Sequence, residues 1–227
     1  MGYLTTIRDY ILDTIFPVYC LACHKNGENL CRECISSFSP AERESAKWIY
    51  PTFDYREPAI KKAVWLLKYK GKKSIACVFA RVLYGNILEE LSDLQTMENF
   101  IEPILIPIPI NRKRKRERGF NQSELICKEL VRLDLTAQAG KDANFKMRTD
   151  ILEKIKDTGH QARVENRSVR LKNILGSFAL KKPEVNLHGK NIILIDDVTT
   201  TGATLAEARK ILREAGARKV IAFTIAH

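Results

Sequence analysis

Two adjacent carboxylates, Asp196 and Asp197, end the apolar run Ile192–Ile195 and lead into Thr199, Thr200, Thr201, Gly202, Ala203 and Thr204. The continuous run reads as a buried strand. Beyond it Leu205, Ala208, Leu212 and Ala215 share one helical face, and Gly216 sits where a C-terminal cap belongs. The threonines and Gly202 therefore occupy the turn from a strand into a helix N-terminus. Free backbone N–H groups and the positive dipole end make that place an anion site. Gly202 lets the backbone come close to a ligand, and the hydroxyls add donors. Paired carboxylates at a strand's carboxyl end suit sugar hydroxyls, and they suit magnesium directly or through water. The pattern thus predicts a cradle for a phosphorylated sugar.

Three other readings of the segment are weaker. A plain strand and cap leaves two aspartates at a strand end unexplained. A Walker B element needs a partner GxxxxGK[ST], and Tyr69-Lys70-Gly71-Lys72-Lys73-Ser74 lacks both the first glycine and a preceding strand. A receiver-type phosphoacceptor pocket places its acidic pair on the first strand, not near the C-terminus.

Two further clusters carry chemistry. Cys20, Cys23, Cys31 and Cys34 form C-x2-C-x7-C-x2-C, the donor set of a closed, structural zinc site. A redox pair is the rival reading. His24 is a spare ligand in a set that is complete without it. Four thiolates around one dication leave the knuckle negative, so it does not grip phosphates by itself. Cys77 and Cys127 stand alone in apolar helical patterns and are expected to be buried. The second cluster, Arg112 to Arg118, holds six basic residues and one glutamate directly after the proline-bounded strand PILIPIPI. It reads as a basic loop projecting near the same sheet edge, where arginine forks could clamp a diphosphate. A nucleic-acid patch competes with that reading.

The elements that position these groups follow from periodicity. Leu4, Ile7, Ile11 and Ile15 predict a first amphipathic helix, and SPAERES reads as a connector. KWIYPTFDY alternates like a strand. Helices are expected over Pro58–Lys68, Lys73–Leu91 and NQSELICKELVRL. NFKMR is a weak strand, GSFAL another, and RKVIAFTIA the last. Strands and helices in alternation argue for a parallel sheet flanked by helices. The expected division is 1–46, a helix with the cysteine module, and 47–227, the main α/β domain.

Composition bounds the partners. The chain has 227 residues, 45% hydrophobic and 29% charged, which fits a soluble, cytoplasmic globular protein with no membrane span and no signal peptide. Its formal net charge of +11 draws phosphate-bearing partners, without choosing between a small ligand and a nucleic acid.

IILIDDVTTTGAT closely resembles the thirteen-residue signature of the type I phosphoribosyltransferases. That resemblance implies that Asp196 and Asp197 hold ribose hydroxyls and that Thr200 through Thr204 wrap the 5′-phosphate of 5-phosphoribosyl diphosphate, bound with Mg2+, with Thr199 also in the ligand site. It implies Arg116 and Arg118 for the leaving diphosphate. PIPINRKRKRERGFNQ downstream of the four cysteines, LKYKGKK at Leu67–Lys73, and Gln161…Arg170-x-x-Asn173-x-x-Gly176-x-Phe178 are similar to the ComF family. That family joins a four-cysteine zinc module to a phosphoribosyltransferase-like domain and is associated with DNA uptake in natural competence. Gln161 and Arg170 enter as ligand contacts by family position alone. Lys146–Lys172 corresponds to the mobile loop, with Lys154, Lys156, His160, Arg163 and Arg167 as candidate charge contacts. Arg112 and Lys115 stand where the family pattern has a proline and an apolar residue. Thr200 stands where purine-salvage members carry a carboxylate, so that chemistry is not implied. Two functions stay open: phosphoribosyl transfer to an unidentified acceptor, and a non-catalytic module for single-stranded DNA that uses the phosphoribosyl site as a ligand or regulatory site. Trp48, Tyr55, Trp65, Tyr69 and Phe120 are then the stacking candidates. The oligomeric state is not legible.

Overall fold

The computed structural model describes residues 17–42, 46–138, 144–156 and 174–227. The expected first helix, His160, Gln161, Arg163, Arg167, Arg170 and Asn173 lie outside them. Among the described residues the order is α1 (Arg32–Ser37), β1 (Ile49–Phe53), α2 (Pro58–Lys70), α3 (Ser74–Glu98), β2 (Ile104–Pro107), α4 (Arg112–Arg118), α5 (Gln122–Ala137), β3 (Lys146–Met147), β4 (Leu152–Lys154), β5 (Phe178–Leu180), β6 (Asn191–Val198), α6 (Ala203–Glu214) and β7 (Lys219–Ala226). No described helix is long and apolar enough to cross a membrane.

Five strands form one parallel sheet in the order β1-β7-β6-β2-β3. The central strand β6 is buried on both faces, as its unbroken apolar run requires. Alternation divides its side chains between two cores. Ile193 and Ile195 join α2, α3 and α5 on one face. Ile192 and Leu194 join Leu205, Ala208 and Leu212 of α6 on the other. Ile195 lies opposite Pro107 of β2 and Phe223 of β7, so the three strands finish at one edge. Helices on both faces of a parallel sheet make this the α/β architecture expected of the phosphoribosyltransferase type.

Several expectations change. The basic run is a short helix, not a loop: the Asn111 side chain caps α4 by accepting from Arg114 N–H at 2.7 Å, and Gly119 ends it at φ +77°. GSFAL forms a strand, but β5 pairs antiparallel with β4 in a separate two-stranded ladder. Leu152–Lys154 therefore removes part of Lys146–Lys172 from the expected loop. β6 runs on to Val198, so Asp197, expected at the start of the loop, lies with Asp196 inside the strand's carboxyl end. Cys127 is fully buried, whereas Cys77 is only half-buried, with the Arg132 guanidinium 3.6 Å from its sulfur.

The cysteine knuckle rests on the α/β body. Leu30 is buried in the core shared with α3, and Phe38 meets Phe53 edge-on at 5.9 Å. Asn29 donates to Ser74 Oγ at 3.0 Å, and Ala41 N–H donates to Thr52 O.

Candidate functional site

The carboxyl edge of β6 collects the charged groups. Asp197 is 3% exposed and its Oδ2 lies 2.8 Å from Lys68 Nζ, which reaches in from α2. Beyond that ion pair Oδ2 makes no hydrogen bond. Oδ1 accepts from Val198 N–H. Burial works against the Lys68 charge, but Asp197 and then Asp196 outweigh it and hold the ammonium above its ordinary range. Asp196 accepts from Ser123 Oγ at 3.0 Å and from Asp197 N–H at 2.9 Å. Its pKa is raised to about 7, first by burial and then by the Asp197 charge, with Lys68 opposing.

That shift has a stability consequence with a definite sign. Between pH 4 and 7 folded Asp196 keeps a proton that the unfolded chain releases, so stability falls as pH rises through that window. Asp196→Asn removes the penalty and still accepts from Ser123. We expect a gain of about 2 kcal/mol at pH 8, or a melting temperature higher by ~4–8 °C, that vanishes near pH 4. Equal melting of the two proteins at both pH values would contradict the burial of this charge.

The turn after β6 is shaped as its residues predict. Gly202 adopts φ +67° and caps α6, whose first turn begins at Ala203. A side chain there is strained, which is why glycine occupies it. Thr199 is buried and its N–H is tied to Ala226 O at 3.0 Å, while Thr200 is exposed and its carbonyl lies 3.0 Å from His227 Nε2. Thr201 Oγ1 sits 3.5 Å from Ala203 N. These residues, with Asp196, Thr204, Lys68 and Arg114, enclose a cavity of about 300 Å3. A helix N-terminus and the Asp196 carboxylate on one cavity fit a ligand with a phosphate and a hydroxyl, whereas Asp197, expected beside it, is buried against Lys68 and does not line the cavity.

Of the two arginines expected at a leaving group, Arg116 is exposed on α4. Arg118 donates to Gln122 Oε1 at 3.0 Å and lies 5.1 Å from the Tyr69 ring centre. The cations brought to the cavity are instead Arg114 and Lys68. A signal for Lys68 existed: Ile60, Val64 and Lys68 fall at helical spacing, so a lysine interrupts the buried stripe of α2. Ser123, inside a capped helix, gave none.

The four cysteine sulfurs all lie within 4.8 Å of one another, with Cys23 and Cys31 at 3.6 Å. Tetrahedral zinc with bonds of ~2.3 Å needs sulfurs roughly 3.8 Å apart, so the four residues fit that ion. Burial raises the Cys20 thiol, but N–H donors of Cys23, Cys31 and Ala22 outweigh it and bring it down to about 6. Cys34 is pushed up to about 12 by its sulfur neighbours Cys31 and Cys23. Only a cation lets all four ionise together.

The family model described as "Phosphoribosyl transferase domain" matches residues 137–227. The "DNA utilization protein YhgH" of Shigella flexneri is 30% identical over 190 residues, covering 84% of this chain and 74% of the relative. The "Competence protein ComFC" of Bacillus subtilis is 34% identical over 131 residues, covering 54% of this chain and 43% of the relative. Among solved structures, a hypoxanthine-guanine phosphoribosyltransferase of Bacillus anthracis covers 67% of this chain and 69% of its own, at 16% identity and a TM-score of 0.39.

Proposed function

The chain belongs to the ComF family, whose phosphoribosyltransferase domain it carries, and on that premise we propose that the strand-end cavity binds 5-phosphoribosyl diphosphate with magnesium. The carrying observation is the joint placement of the Gly202 turn and Asp196 around one cavity, with Asp197 next to it in the strand and paired to the cavity-lining Lys68. Thr199 through Thr204 hold the 5′-phosphate by backbone N–H groups and hydroxyls. Asp196 and Asp197 accept from the ribose hydroxyls, and Lys68 orients Asp197 through their 2.8 Å ion pair. The Asp196 carboxylate is also a candidate outer ligand for magnesium, which supplies charge neutralisation at the diphosphate. Arg114 is the arginine placed to meet departing charge, with Arg116 and Arg118 on the same helix adding to the field. Gln161 and Arg170 remain contacts proposed from family position. Transfer to an acceptor is the activity this donor site would serve. In calorimetry the protein should bind phosphoribosyl diphosphate at one site only when magnesium is present; no saturable heat in its presence would sink the reading.

The zinc knuckle is proposed as a structural site held by Cys20, Cys23, Cys31 and Cys34. Residues 1–46 form a unit with it, and residues 47–227 the transferase-like domain.

A second reading, single-stranded DNA handling, is favoured by one surface. Trp65 and Tyr69 are 47% and 53% exposed on α2, one turn apart with ring centres 6.2 Å from each other. Lys70 lies over Trp65 at 5.5 Å and Arg118 over Tyr69 at 5.1 Å. Exposed rings edged by cations suit base stacking and phosphate contact together. Trp48 is less suited, being covered by Arg209 at 4.6 Å. The relatives' names, DNA utilization and competence, point to the same partner class. Trp65→Ala/Tyr69→Ala should weaken binding of a thymidine oligonucleotide by about tenfold or more in a fluorescence titration, from stacking worth ~1–3 kcal/mol per base. Unchanged affinity would remove this strip from the DNA surface.

A further inference from the structure

A larger cavity, about 510 Å3, lies on the other side of α4 from the phosphoribosyl cradle. The helix is the shared wall. Arg114 lines the first cavity, while Arg112 and Lys115, three residues apart and so on one helical face, line the second. Its floor is apolar: Ile106 is 1% exposed and Leu152 2%, and Pro107, Pro109 and Ile110 continue the surface. Such a floor suits a flat ring, and the volume is that of a small-molecule site.

The polar groups around the floor divide into committed and loosely held. Arg148 is engaged twice by Asp150, at 2.6 and 2.7 Å, and Lys181 Nζ donates to Thr149 O. Arg112, by contrast, stands 3.8 Å from Glu153 and Lys115 stands 3.5 Å from Glu124. Pairs at those lengths are weak and solvent-screened. A ligand anion can take either cation, and a ligand N–H can then take Glu153 or the Oε2 of Glu124, whose Oε1 stays 2.8 Å from Lys128 Nζ. A phosphate dianion would face Glu124 and Glu153 directly, which disfavours it against a single carboxylate.

We propose that this second cavity binds an amine-bearing aromatic or heteroaromatic carboxylate, its ring on the Ile106–Leu152 floor, its carboxylate between Arg112 and Lys115, and its amine toward Glu124 and Glu153. The site is separate from the donor cradle and its occupancy does not require a bound donor. 2-Aminobenzoate is a suitable probe because its fluorescence reports entry into an apolar site. It should bind the full chain saturably at one site, with benzoate and aniline, each lacking one polar group, at least tenfold weaker. Arg112→Glu/Lys115→Glu alters two exposed side chains, so its melting temperature should match the parent while probe affinity falls at least tenfold. Saturating phosphoribosyl diphosphate with magnesium, or inorganic diphosphate, should leave the probe bound. The proposal is overturned by non-saturable binding, by equal affinity in the charge-reversed variant, or by displacement of the probe with inorganic diphosphate, which would make the cavity part of the donor site.

Discussion

Replacing Asp196 and Asp197 together with alanine is expected to weaken binding of magnesium-phosphoribosyl diphosphate by about 100-fold or more. Each carboxylate accepting from a ribose hydroxyl makes a charge-assisted hydrogen bond worth ~1.5–3 kcal/mol. Two of them correspond to roughly 10²- to 10⁴-fold in affinity. The variant also strands Lys68, whose ammonium lies in a largely buried place with Asp197 as its partner. Folding and binding must therefore be separated. Asp196→Asn does this, since it should raise stability at pH 8 while still losing tenfold or more in affinity. Calorimetry on both variants, with thermal melts alongside, reads the two effects independently. Affinity unchanged in the double variant removes the acidic pair from the ligand site.

Removing metal from the four-cysteine knuckle should lower the melting temperature by about 10 °C. The knuckle buries Leu30 in the α3 core and holds Phe38 against Phe53, so losing its internal cross-link loosens packing well beyond the cysteines. Few of its own residues are buried, and a segment this small has little else to order it. A net loss of ~3–5 kcal/mol translates to roughly 6–20 °C for a chain of this size. Cys20→Ser/Cys31→Ser should reproduce the effect of a strong chelator, and the purified parent should carry one zinc per chain by elemental analysis. Metal-free protein that melts with the parent would show that the sulfurs cluster without serving as a ligand set.

What could be read in advance divides along physical lines. The run NIILI followed by two aspartates and TTTGAT is local: strand, turn and helix cap are neighbours in the chain, so hydrophobic pattern and glycine geometry were enough to place the strand, the turn and the helix start. The four cysteines are equally local. Lys68 lies 129 positions from Asp197, and their meeting depends on how α2 crosses the sheet, which periodicity does not encode. The neighbours of β7 were likewise not legible: β1 comes from the far end of the chain to pair with it. The basic run, expected as a loop, is a helix because the Asn111 side chain caps its start and Gly119 ends it. Once capped, the helix sorts those charges onto two faces. That sorting sends Arg114 to one cavity and Arg112 with Lys115 to the other, a distinction invisible while the segment is a string of positives. Trp65 and Tyr69 were separable from Trp48 only when exposure was known.

Whether the β6 edge is a phosphoribosyl diphosphate site is decided by a crystal structure of the protein with that ligand and magnesium. The 5′-phosphate is expected against the backbone of Thr199 to Thr204 and the ribose hydroxyls within hydrogen-bond reach of Asp196 and Asp197, with Arg114 on the diphosphate side. Density for the ligand anywhere else, with the Gly202 turn and the acidic pair untouched, would contradict that placement.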